Sequence, residues 1–164
     1  MGLQDVAGNY EPKENQEFGG KKKLVGDAVC QMELSQFQAK TGKFWYKLEG
    51  TVIHCVPDPK GRETTVEPGD EITKLYDPDN DEKMTELMDD LFTAGVTYSK
   101  NGDSDTIFGW MSAATTGKLF YIRTWAKDKP KDKQEEGKPT YWQNIKILSS
   151  NKITEENSTP QMAF

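Results

Sequence analysis

The sequence predicts a mainly β fold, five strands with one helix between the third and the fourth, and three observations carry that prediction. Leu24 to Val56 alternates apolar and polar residues over two long arms with Lys40-Thr41-Gly42 between them. Asn80 to Ala94 holds one amphipathic helical pattern, with Met84, Leu87, Met88, Leu91 and Phe92 at three- and four-residue spacing. From Lys118 to Leu148 the period returns to two.

The first two strands form one hairpin. On its first arm Leu24, Ala28, Cys30, Met32 and Leu34 share a face; on the second, Tyr46, Leu48 and Val52 do. A three-residue loop, Lys40 to Gly42, with glycine in the left-handed position, sets Ala39 opposite Lys43, Leu34 opposite Leu48 and Cys30 opposite Val52. A two-residue Thr41-Gly42 turn would set Leu34 opposite Glu49, so the apolar pattern selects the longer loop. Gly26 and Gly50 interrupt the arms and mark bulges or bends of a coiled sheet. In this register Cys30 and Cys55 fall on opposite faces, as free thiols.

After the Pro57-Asp58-Pro59-Lys60-Gly61 loop, Glu71 to Tyr76 alternates as a third strand. Asp79 or Asn80 caps the helix, and Gly95 sits at its left-handed end. With a single apolar face, the helix is expected to plug an opening in a sheet. Val96 to Thr116 carries no readable pattern beyond the Asn101-Gly102-Asp103-Ser104 turn. The fourth strand places Phe120, Ile122 and Thr124 on one face and Leu119, Tyr121, Arg123 and Trp125 on the other. Lys127 to Pro139 reads as a charged connection, and Thr140 to Leu148 as the fifth strand, with Ile145 and Ile147 opposed to Trp142, Asn144 and Lys146.

The chain of 164 residues, about a third of them apolar, suits one domain and a modest core. No apolar run approaches the ~18 residues of a membrane span, and Met1 to Gly20 lacks the features of a secretory signal, so a soluble protein without membrane contact is expected. The net charge of −6 is unevenly spread. Asp79 to Phe92 has six acids against Lys83, whereas Lys118 to Lys146 has eight basic residues against four acids, and the hairpin tip adds Lys40, Lys43 and Lys47.

The outward positions of three strands interleave rings with cations: Trp45 with Lys47 and Lys43, Tyr121 and Trp125 with Arg123, and Trp142 with Lys146. Cations that follow phosphates, and flat rings on which bases stack at ~1 to 3 kcal/mol each, are what a groove for single strands requires. His54 is the sole histidine and, with Cys30 and Cys55, supplies neither a four-ligand zinc site nor a triad. Asp77, Asp79 and Asp81 match the opening of a calcium loop, but Glu82 and Met88 stand where its glycine and closing glutamate belong. No enzyme and no cofactor are expected.

The element order, the long first hairpin and the capped helix resemble the oligonucleotide-binding fold, a five-stranded, partly open Greek-key barrel. The resemblance covers Leu24 to Leu148, within a domain at 24–150 flanked by a flexible arm at 1–23 and a flexible tail at 151–164. Glu155-Glu156, Pro160 and the terminal Met162-Ala163-Phe164 resemble the tails of bacterial and phage single-stranded-DNA-binding proteins, although their acidic run is usually denser. The resemblance implies a bacteriophage-type protein of the host cytoplasm that coats single-stranded DNA in replication, recombination or repair and recruits partners through Phe164; oligomers are compatible with it. The alternatives are a protein-interaction or regulatory module on the same barrel, with the acidic helix engaging a host protein, or a metal-dependent nuclease using clustered carboxylates.

Overall fold

The computed structural model describes residues 22–161, so most of the expected N-terminal arm and Phe164 lie outside the described residues. Its strands are β1 (Gly26–Gln38), β2 (Phe44–Val56), β3 (Glu71–Tyr76), β4 (Leu119–Asp128) and β5 (Tyr141–Leu148). Two helices, α1 (Asp81–Thr93) and α2 (Ser104–Thr115), lie between β3 and β4. The strands make one antiparallel sheet in the order β3-β2-β1-β4-β5. The fold is mainly β, as expected, but the sheet is not closed among the described residues, with β3 and β5 as its edges, so the expected Greek-key barrel is not confirmed. No helix of the described residues is long and apolar enough to cross a membrane.

The hairpin register follows from its loop. Ala39 N–H donates to the Lys43 carbonyl at 2.8 Å and Gly42 N–H to the Ala39 carbonyl at 2.9 Å, with Gly42 at φ +93°. Leu34 then pairs with Leu48 and Cys30 with Val52, so the apolar faces coincide. Gly50 lies where β2 crosses β1 closely: a Cβ there would overlap the Gln31 carbonyl oxygen and stand 2.6 Å from Met32 Cα.

Between Val29 and Cys30 the register slips, so that Val29 faces His54 and Ala28 faces Cys55. This corrects the expected placement of the thiols. The extra residue turns Cys55 onto the core side, where it packs partly buried against the same cluster as Cys30. Both thiols are free, and burial pushes both upward, that of Cys55 to about 11.

The core fills the sheet's inner face with Ala28, Met32, Leu34, Leu48, Ile72, Phe120 and Ile122, closed by Leu87 and Leu91 of α1 and Met111 of α2. Asn80 caps α1, its side chain accepting from Lys83 N–H at 3.1 Å. The helix contacts both edge strands, β3 and β5. It is fastened to β3 by Lys74, which pairs with Asp90 at 2.7 Å and Glu86 at 2.9 Å, and by the Tyr76 hydroxyl, which donates to Asp90 at 2.6 Å.

The second helix occupies the stretch without a readable pattern. Asp103 caps it by accepting from Thr106 N–H at 2.8 Å. Its far end finishes β1 where β4 stops: Leu34 N–H donates to Thr115 Oγ1 at 3.0 Å, and Ser112 Oγ donates to the Leu34 carbonyl at 2.8 Å. Two backbone groups of a strand edge are thereby satisfied by side chains.

Candidate nucleic-acid interface

The side of the sheet away from the core carries every residue expected to meet DNA, but the fold divides them into two groups. On β4 the outward positions are Tyr121, Arg123, Trp125 and Lys127; on β5 they are Lys146, Asn144 and Trp142. Arg123 stands opposite Lys146, Trp125 opposite Asn144 and Lys127 opposite Trp142. Trp125 and Trp142 are therefore diagonal neighbours on one face, about 7 Å apart. The two tryptophans are 42 % and 41 % exposed, and Arg123, Lys127 and Lys146 are exposed beside them.

Lys127 is the residue sequence reasoning missed. It was placed in the charged connection, yet β4 runs on to Asp128, and the alternation Arg123, Trp125, Lys127 was the signal that could have found it. Among the described residues Lys127 and Lys146 have no carboxylate partner. Arg123 has one: it donates to Asp27 through Nε at 2.7 Å and Nη2 at 3.0 Å. Burial raises the Asp27 carboxyl, but the Arg123 pair and the Tyr121 hydroxyl outweigh it and hold the group below its usual range.

Tyr121 points outward but is 5 % exposed. Burial, then its hydrogen bond to Asp27 at 3.0 Å, pushes its hydroxyl up to about 12. Its ring is covered rather than offered. A 3-10 turn at Ser150–Lys152 packs on β4, and Lys152 Nζ sits 5.8 Å from the Tyr121 ring centroid. The chain then returns along β2: His54 Nδ1 donates to the Thr159 carbonyl at 3.0 Å, Gln161 N–H to the Ile53 carbonyl at 2.7 Å, and Cys55 N–H to Gln161 Oε1 at 2.7 Å. Residues 151–161, expected as the start of a tail, thus lie against the sheet.

The second group is at the hairpin tip, where Trp45 pairs with Phe37, on the order of 40 Å of extended strand from the Trp125 end of β1. Trp45 is half-buried, with Lys43 Nζ 5.1 Å from its ring centroid, and Lys47 Nζ lies 5.2 Å from that of Phe37. These cations are already engaged: Lys43 pairs with Asp77 at 2.9 Å and Asp79 at 3.6 Å, and Lys47 with Glu49 at 2.9 Å. The hydrogen bond to Asp77 raises Lys43, and the same bond lowers Asp77.

What the β4–β5 face offers chemically is two open tryptophans in a frame of three cations, two of them without an acidic partner among the described residues. It presents no nucleophile paired with a base, and no grouping of three or more His, Cys, Asp or Glu suited to a metal occurs among the described residues. No protein-family model matches the chain and no curated protein matches it.

Proposed function

We propose that the protein binds single-stranded DNA with little sequence preference, protecting it in phage replication or recombination, and that the β4–β5 face is the binding surface. The observation that carries this reading is the diagonal pair Trp125 and Trp142, open to solvent and framed by Arg123, Lys127 and Lys146. Stacked bases gain ~1 to 3 kcal/mol per ring, and Lys127 and Lys146 meet the phosphates between them. An open five-stranded sheet whose two edges are bridged by a helix is compatible with a partly open oligonucleotide-binding barrel. Recruitment of replication or recombination partners through Phe164 belongs to the same proposal. Its test is removal of Phe164, with loss of partner pull-down and retention of DNA binding expected.

Tryptophan fluorescence titrated with oligo(dT) tests the surface itself. Quenching in wild type that is lost in the Trp125→Ala, Trp142→Ala double variant supports it; unchanged emission at all concentrations overturns it.

A second reading has one observation in its favour. Phe92 is 84 % exposed on the acidic helix α1, beside the partly exposed Met88. A protein partner with basic and apolar groups suits that face, and a Phe92→Ser variant that loses such a partner while keeping its oligonucleotide affinity would place the interaction there.

A further inference from the structure

At the β1 side of Trp125 the outer face opens into a cavity of about 400 Å³, roofed by the loop after β2. This is within the ~300 to 1,000 Å³ of pockets that enclose small molecules. Its polar wall is made by two arginine–aspartate pairs, Arg123 with Asp27 and Arg62 with Asp58, together with Glu63 and Lys152. Arg62 donates to Asp58 through Nε at 2.6 Å and Nη2 at 3.4 Å, the same side-on arrangement that Arg123 makes with Asp27. Each aspartate fixes the plane of its guanidinium and leaves about three of the five N–H donors free. Glu63 is exposed and, among the described residues, its carboxylate has no hydrogen-bond or ion-pair partner.

The charges decide what kind of group fits. Arg62, Arg123 and Lys152 face Asp27, Asp58 and Glu63, so the lining is neutral overall. A phosphate brought here would meet three carboxylates as well as three cations, with no net attraction, whereas the edge of a neutral base would meet oriented donors and an acceptor. Of the four DNA bases, only guanine has two adjacent acceptors, O6 and N7, on one edge and two adjacent donors, N1–H and the 2-amino group, on another.

We propose that this cavity takes a single guanine of the bound strand, its O6 and N7 accepting from the free guanidinium donors, its N1–H and 2-amino group donating to Glu63, and its ring lying against Trp125. The inference rests on the reading of the adjoining face as a single-strand surface. It adds to that surface one position at which sequence matters.

The experiment compares d(T)15 with d(T)7-dG-d(T)7 on the full chain, by tryptophan quenching at one fixed salt concentration. The guanine oligonucleotide is expected to bind roughly 5- to 100-fold tighter. Arg62→Ala, on an exposed loop away from the β4–β5 stripe, should reduce the guanine advantage several-fold without altering d(T)15 binding. Replacing the guanine by 7-deazaguanine, which lacks N7, or by hypoxanthine, which lacks the 2-amino group, should each remove part of the advantage. If d(T)15 binds and guanine adds nothing, the pocket is refuted and the surface stands. If only the guanine strand binds, the pocket stands and the stacking surface falls; if neither binds, both fall. A guanine advantage undiminished by Arg62→Ala also overturns the assignment.

Discussion

The hairpin tip and the β4–β5 face look alike as strings of residues, each alternating rings and cations, and the fold treats them in opposite ways. At the tip, Lys43 and Lys47 lie over Trp45 and Phe37 and are held there by Asp77, Asp79 and Glu49. On β4–β5, Trp125 and Trp142 are open and Lys127 and Lys146 have no acidic partner among the described residues. A cation beside a ring is a binding element only while nothing in the chain already neutralises it. For Lys43 the acids come from the turn between β3 and α1, distant in sequence, whereas for Lys47 the acid is Glu49, two residues along β2.

Substituting the rings should give the largest contrast. Trp125→Ala is expected to weaken oligo(dT) binding by ~1 to 3 kcal/mol with little change in melting temperature. Trp45→Ala should do the reverse, lowering the melting temperature and leaving the titration unchanged. Equal losses of affinity for the two variants would erase the distinction between the regions.

Salt provides a second contrast. The slope of log affinity against log salt should shrink by about 0.7 in Lys127→Ala, one phosphate contact fewer, and stay as in wild type in Lys43→Ala. A changed slope in Lys43→Ala would return the tip to the binding surface.

Acid probes the Asp27–Arg123 ion pair on the open face. The Asp27 carboxyl is lowered from its ordinary 3.8. Its contribution to stability is therefore present above that value and lost as pH falls through the depressed native one. Melting temperature should drop on the acid side of pH ~4 in wild type, and less steeply in Asp27→Asn. Identical acid limbs would show that the Asp27–Arg123 pair does not hold β1 to β4.

The smallest effect should come from freeing the tip. Glu49→Gln or Asp77→Asn releases a lysine in a solvated setting, and a modest rise in oligonucleotide affinity, seen at low salt alone, is expected. A large rise would mean that the tip is held in reserve by its acids.

The sequence made the first hairpin legible because loop length and apolar alternation agree on a single register, Leu34 on Leu48. It hid the thiol geometry, since a bulge adds one residue and leaves no mark on the pattern; Cys55 changes face without any change of composition. It hid α2 because Gly109, Thr106 and Ile107 read poorly as helix, and because Ser112 and Thr115 are there to satisfy the backbone of Leu34. The outward direction of Tyr121 was readable, but its burial was not, since the residues over it arrive from 150–152. Lys127 was lost to the charge of its neighbours, which resemble a loop although the ladder continues to Asp128 opposite Tyr141.

Strand β1 stands at the centre of the sheet but is the first strand of the described residues. Its hairpin partner is complete by Val56, while its other neighbour begins only at Leu119, and Leu24 waits for Gln143, which accepts its N–H at 2.8 Å. During synthesis the nascent chain therefore carries a paired hairpin with one naked edge for more than sixty residues. Such an edge recruits strands from other chains. Ribosome-bound or truncated products ending before β4 should associate through β1, and the order of emergence makes the late-made β4 the strand that protects the early-made one.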